Sequence, residues 1–250
     1  MLAQAALGLL FRAQYRDAEW IATTWLGNDW VTLGIVLPLL AATLKLTRRG
    51  SHRALLLWLG LLGYAVYNYA FYLFGAALNA FFPLYVMALV GSALALILAL
   101  AGTSASEIAR RFHDNTPVRF IGGYFVVVGI SLASVWLAAW AAYVFAGRPT
   151  PVDPEVFKLV AGLDAVLMVP ALAGGGALLW RRHVWGYVIS AIAGIQGSLY
   201  LLVLSINSII FVVRGLAQPP GEIPLWGGLA AATSAATLLL LAHAGRRLEV

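Results

Sequence analysis

The sequence predicts an all-α integral membrane protein of seven transmembrane helices, N-terminus outside and C-terminus inside. Three observations predict it. Of 250 residues, 62% are hydrophobic and only 10% charged, against roughly 25% charged in an average soluble domain. Seven largely uncharged runs recur, each near the ~20 residues a helix needs to cross hydrocarbon about 30 Å thick. Lys and Arg then gather on alternate connections, as they do on the cytoplasmic side of a membrane.

Taken in order, residues 1–28 form an outer interfacial segment. Leu2 to Phe11 is apolar but too short to span, and no basic residue precedes it as a signal peptide requires. Arg12, Arg16, Asp17 and Glu19 then alternate with Tyr15, Trp20, Ile21 and Trp25, which suits a helix lying on the outer surface or pairing with another subunit. Residues 29–250 form one transmembrane domain, with spans at roughly 30–47, 54–76, 80–102, 118–146, 159–180, 184–212 and 224–243. The fourth and sixth exceed the bilayer thickness and are expected to tilt or protrude.

Orientation follows from the loops. Lys45, Arg48, Arg49 and Arg53 follow the first span, and Arg110, Arg111 and Arg119 separate the third from the fourth. Arg181 and Arg182 join the fifth to the sixth, and Arg246 and Arg247 end the chain, so eleven of sixteen basic residues share one face. Trp30 and Trp226 mark the outer interface, and Trp58, Trp180 and Trp185 the inner one. The net charge of +6 therefore reads as topology and not as a nucleic-acid surface. The absence of cysteine excludes disulfides, thiolate metal sites and a cysteine nucleophile.

Spans 1 and 5 share a pattern. IVLPLLAATLKLTRRGSH and LMVPALAGGGALLWRRH each carry an aliphatic pair, a proline, an apolar stretch, paired arginines and a histidine. Gly60, Gly63 and Tyr64 follow in one half, and Gly194, Gly197 and Tyr200 in the other. This predicts a parallel 3+1+3 repeat: repeat 1 over 29–102, a linker helix at 118–146, and repeat 2 over 159–243. In topology alone the chain resembles the SWEET sugar facilitators and, more distantly, the rhodopsin-like architecture. The Pro-Gln dipeptide of the PQ-loop relatives of SWEETs is missing, since Leu39 follows Pro38 and Ala171 follows Pro170. No mid-span lysine is available for retinal. The stretches YNYAFYLFGAALNAFFPLY and LLWRRHVWGY are similar to bacterial polytopic membrane proteins without a known activity, a resemblance that implies no cofactor.

A charge within a span costs about 2.5–3.5 kcal/mol on insertion scales, so it should face protein or water. Asp164 is the clearest case, roughly 8 Å in from the outer start of the fifth span by helical rise. Tyr64, Asn68 and Tyr72 form a stripe at i, i+4 and i+8, while Gln196, Tyr200 and Asn207 lie on span 6, and Trp136 and Trp140 one turn apart on span 4. Together they are the candidate lining of an outward-facing pocket for a small polar or cationic solute, the cation held by the carboxylate and aromatic faces. Structural roles compete: a lone Asp also serves as interhelical glue, and tyrosine stripes also pack. Pro170 with Gly174, Gly175 and Gly176 is the candidate hinge, with close static packing as the alternative.

His52, His113, His183 and His243 all fall at the cytoplasmic level. They are the candidate metal ligands, although neither HExxH nor HxxxH occurs. The 104–117 loop, with Ser104, Ser106, Glu107, His113 and Asp114, lacks the GxSxG, P-loop and GxGxxG patterns and reads as an amphipathic connector. The expected function is binding or facilitated transport of a small polar solute across a bacterial inner membrane, with Asp164 as anchor. No cofactor and no nucleic acid are expected, and homo-oligomerisation is left open. The alternatives are a metal-dependent enzyme at the cytoplasmic face and a non-catalytic scaffold or sensor subunit.

Overall fold

A computed structural model describes residues 1–216 and 222–245. It is 82% helical, without strands among the described residues. Helix α1 (Leu2–Leu10) precedes seven helices long and apolar enough to cross a membrane: α2 (Glu19–Thr47), α3 (His52–Gly75), α4 (Phe82–Ala101), α6 (Val118–Ala146), α7 (Pro154–Trp180), α8 (Val184–Val213) and α9 (Glu222–Ala242). A short helix, α5 (Ala105–Arg110), lies between α4 and α6. This is the make-up of a multi-pass membrane protein.

Local chemistry sets the ends. Ser51 Oγ accepts from the Ala54 amide at the start of α3, Asp153 caps α7 through the Glu155 amide with Pro154 in the first turn, and His183 Nδ1 accepts from the Trp185 amide at α8. Gly147, at φ 62°, closes α6 in the left-handed conformation that glycine adopts without a Cβ penalty. Ser104 caps α5, which buries Ala105 and Ile108 beneath an exposed polar side. The amphipathic connector read from the sequence takes this form.

Two helices depart from regular α geometry at their prolines. A π turn occupies Thr32–Val36 in α2, just before Pro38, and another occupies Asp164–Met168 in α7, just before Pro170. Each contains the residue four before the proline, Gly34 or Val166, whose carbonyl the ring would meet and whose amide partner is lost. The wider turn accommodates both faults. In α7 a second π turn runs through Pro170–Gly174.

Helix α3 is the most enclosed: 72% of its most apolar window is buried, against 11% for α6. It packs between α2 and α4, α8 packs between α7 and α9, and α3 meets α8 across the centre. Helix α6 leans on α7. Glycines set the closest crossings. A methyl built on Gly60 would stand 2.5 Å from Ile195, and one on Gly122 or Gly176 would stand 2.6 Å from the other's carbonyl. Side chains at these positions would push helices apart.

The N-terminal region differs from the sequence expectation. Helix α2 begins at Glu19, so the polar pair Asn28 and Asp29 lies inside it, fully or nearly buried. Helix α1 packs against α2 and α4 and buries Gln4, Ala5 and Gly8. An uncharged-run criterion stops at Asp29 because it cannot see that the carboxylate has partners. At the opposite end, the Arg53 guanidinium donates through Nη2 to the Ala242 carbonyl at 2.7 Å and through Nε to the Ala244 carbonyl, joining the start of α3 to the end of α9. Phe112 and Ala244 form an isolated antiparallel bridge beside it. Arg246 and Arg247 lie outside the described residues.

Candidate functional site: a polar seam through the bundle

Helix α3 presents several polar side chains to different neighbours because a step of one residue turns the helix by about 100°. Tyr67 donates to Asp164 Oδ1 at 2.7 Å, and Trp136 Nε1 of α6 donates to Oδ2 at 2.9 Å. Asp164 is 0% exposed. The Tyr67 ring meets Tyr200 edge-on at 5.1 Å. The carboxylate thus joins α7 to α3 and α6 through neutral donors, and no ion pair reaches it among the described residues.

Tyr72, grouped with Asp164 by the sequence reading, turns to a second carboxylate. It donates to Asp29 Oδ1 at 2.8 Å, while Tyr15 donates to Oδ2 at 2.6 Å and Gln4 Nε2 to Oδ1 at 3.1 Å. Tyr69 donates to Gln4 Oε1 at 2.9 Å. Trp25, Tyr69, Tyr72 and Tyr85 stack around this network. Burial, with the Asp29 charge adding to it, pushes the Tyr15 hydroxyl well above the usual phenol range. Asp29, Tyr67, Gln4 and Tyr15 were not singled out from sequence. Asp29 had a usable signal, since it sits one position before interfacial Trp30 in a run that is otherwise uncharged from Trp20.

Tyr64, Asn68, Gln196 and Asn207 share a different property. Tyr64 Oη, Asn68 Nδ2, Gln196 Nε2 and Asn207 Oδ1 are buried without a hydrogen-bond partner among the described residues, as is Ser190 Oγ. All five residues are at most 6% exposed. Tyr64 sits beside Thr32 of α2, outside hydrogen-bond geometry. Gln196 Oε1 comes against Gly63, where a methyl would stand 3.2 Å away, and Asn207 presses on Gly27, where a methyl would overlap its Oδ1. Tyr64, Gln196 and Asn207 therefore lie along the junction of α8 with α3 and α2, whereas the Ser190 backbone comes against Gly175 of α7. Gln196 and Asn207 are eleven residues apart, about three full turns, so they share one face of α8.

Trp140, by contrast, is 47% exposed and meets Phe145 edge-on near the end of α6, and it donates to neither carboxylate. The candidate hinge residues divide. Gly175 and Gly176 press against the α8 backbone and against Gly122 of α6, whereas Gly174 has open space around it. The two described clefts are lateral. One of about 390 Å³ lies between α8 and α9, and one of about 550 Å³ lies between the end of α3 and α7. Neither touches Asp164, Asn68 or Gln196.

The histidines are engaged separately. His183 caps α8, and His52 Nε2 is 3.8 Å from Glu107. His243 Nδ1 is 2.8 Å from the Leu239 carbonyl, and its ring lies 6.3 Å from that of His113. No three His or carboxylate side chains converge on a point among the described residues. No protein-family model, no curated protein and no solved structure matches the chain.

Proposed function

We propose that the protein facilitates passage of a small polar solute across a bacterial inner membrane, along the seam where α8 meets α3 and α2. The observation that carries the reading is the set of buried, unpartnered polar atoms on Tyr64, Asn68, Gln196 and Asn207. An unsatisfied buried donor or acceptor costs about 1–3 kcal/mol, and folded proteins keep few of them. Four on adjoining helices of a lipid-embedded bundle fit a route for something that hydrogen-bonds in transit. The carboxylates fit holding roles better, since each already accepts from two or more donors.

In this reading the N-terminus lies outside and the C-terminus inside, with Lys45, Arg48, Arg49, Arg53, Arg110, Arg111, Arg119, Arg181 and Arg182 on the cytoplasmic face. Helices α2–α4 and α7–α9 are parallel repeats linked by α6. Three correspondences support that pairing: a π turn ends two residues before Pro38 and again before Pro170, α3 and α8 each pack between their own neighbours, and the two meet at the centre.

The test is solute uptake into liposomes reconstituted with the purified chain. Uptake above protein-free vesicles, reduced by Asn68→Leu and Gln196→Leu in protein that retains its thermal unfolding midpoint, is the expected result. Uptake indifferent to both substitutions overturns the seam as the route. Absence of uptake for sugars, polyols, amides and amines alike, with copurification of a second protein in fixed ratio, replaces transport by a scaffold role.

A further inference from the structure

Resting on the seam as the solute route, we infer that what passes is a small uncharged molecule carrying both hydroxyl or amide donors and acceptors, of the size of glycerol or urea, and not the cation that a buried carboxylate first suggests. The unpartnered groups form a file and not a single pocket. Gln196 and Asn207 are eleven residues apart on one face of α8, about 16 Å along the axis, roughly half of the hydrocarbon thickness. Gln196 stands against Gly63, the neighbour of Tyr64 on α3, and Asn68 is one turn further along α3 from Tyr64.

The chemistry of the file is mixed and neutral. Two amide nitrogens donate, one amide oxygen accepts, and the Tyr64 hydroxyl does either. A molecule with both functions can exchange partners from one level to the next without leaving one unmade. Charge has no such support. No Lys, Arg or His lies between Gln196 and Asn207; Arg214, about two turns beyond, donates to Thr23 of α2 at the end of the file, and both oxygens of Asp164 and of Asp29 already accept from tyrosine, tryptophan or glutamine donors at its sides. An ion in the file would be desolvated without a counter-charge, a far larger penalty than that of a neutral polar group.

Width limits size. A methyl on Gly63 would stand 3.0 Å from Ile192 and 3.2 Å from Gln196, so the helices are already in contact at the middle of the file. A bulky solute would have to part them along their length, and the displacement needed falls as the permeant becomes smaller.

Stopped-flow light scattering on reconstituted proteoliposomes tests this, with glycerol, urea, tetramethylammonium chloride and sodium acetate as the permeants. Glycerol and urea should re-swell shrunken vesicles faster than protein-free controls, while the two salts should not. Asn68→Leu and Gln196→Leu should each slow glycerol by about tenfold, the effect of stranding one polar partner, and Asn68→Gln should restore part of the rate. Asp164→Asn should leave the order of neutral over charged permeants unchanged. Faster entry of tetramethylammonium, lost in Asp164→Asn, overturns the inference while leaving transport in place. Failure of all four permeants to enter overturns the inference together with the route it rests on.

Discussion

At the scale of single residues, each buried carboxylate is explained by its donors. Asp29 survives inside α2 because Tyr15, Tyr72 and Gln4 come to it from three segments, and charge-assisted bonds of this kind are about twice as strong as neutral ones. Tyr15→Phe removes the shortest of them and should lower stability by about 1–3 kcal/mol at neutral pH, read as the thermal unfolding midpoint in detergent. The pH dependence has a definite sign. The folded state raises the Tyr15 pKa above the unfolded value of 10.0, so its contribution is complete below pH 10 and is lost as pH rises beyond it. The parent protein should lose stability above about pH 10 more steeply than Tyr15→Phe; equal slopes would mean that Tyr15 is not held neutral by the fold. From sequence, Asp164 was legible as a buried acid because it stands alone in an apolar run. Its partners were not, because Tyr67 is out of phase with the Tyr64, Asn68 and Tyr72 stripe and only tertiary packing decides which tyrosine faces α7.

At the scale of elements, periodicity and length located the spans from α3 onward to within a few residues, since apolar length is dictated by the bilayer itself. What they could not reveal was the division of labour among Gly174, Gly175 and Gly176. Composition sees three small residues, whereas packing sees two at helix contacts and one in open space. Gly176→Ala should therefore destabilise the protein by about 1–3 kcal/mol by driving α7 from α6. Gly174→Ala should stabilise it by about 0.4–1 kcal/mol through loss of unfolded-chain freedom. If α7 bends during transport, the same Gly174→Ala should slow solute flux while raising the unfolding midpoint. A raised midpoint with unaltered flux would assign the π turns at Pro170 to static accommodation of the ring alone.

At the scale of the whole molecule, few polar side-chain contacts among the described residues join α2–α4 to α7–α9, and these sit towards both faces. Tyr67 to Asp164 joins α3 to α7 and Arg214 to Thr23 joins the end of α8 to α2 on the side away from the arginine-rich loops, and Arg53 joins α3 to the end of α9 on the arginine-rich side. A carrier that alternates between two openings needs fastenings towards each side, those of one side broken while those of the other hold. Because the chain has 0 cysteines, a single Thr32→Cys reporter beside Tyr64 can be followed without background. Tyr67→Phe should make it react at least about tenfold faster with a membrane-impermeant maleimide added outside, since loss of a bond to a buried charge shifts the open population by that order. Arg53→Ala should speed reaction only from the arginine-rich side. Equal acceleration from both sides by either substitution would point to general loosening of the bundle, and the two contacts would then be structural ties instead of alternating gates.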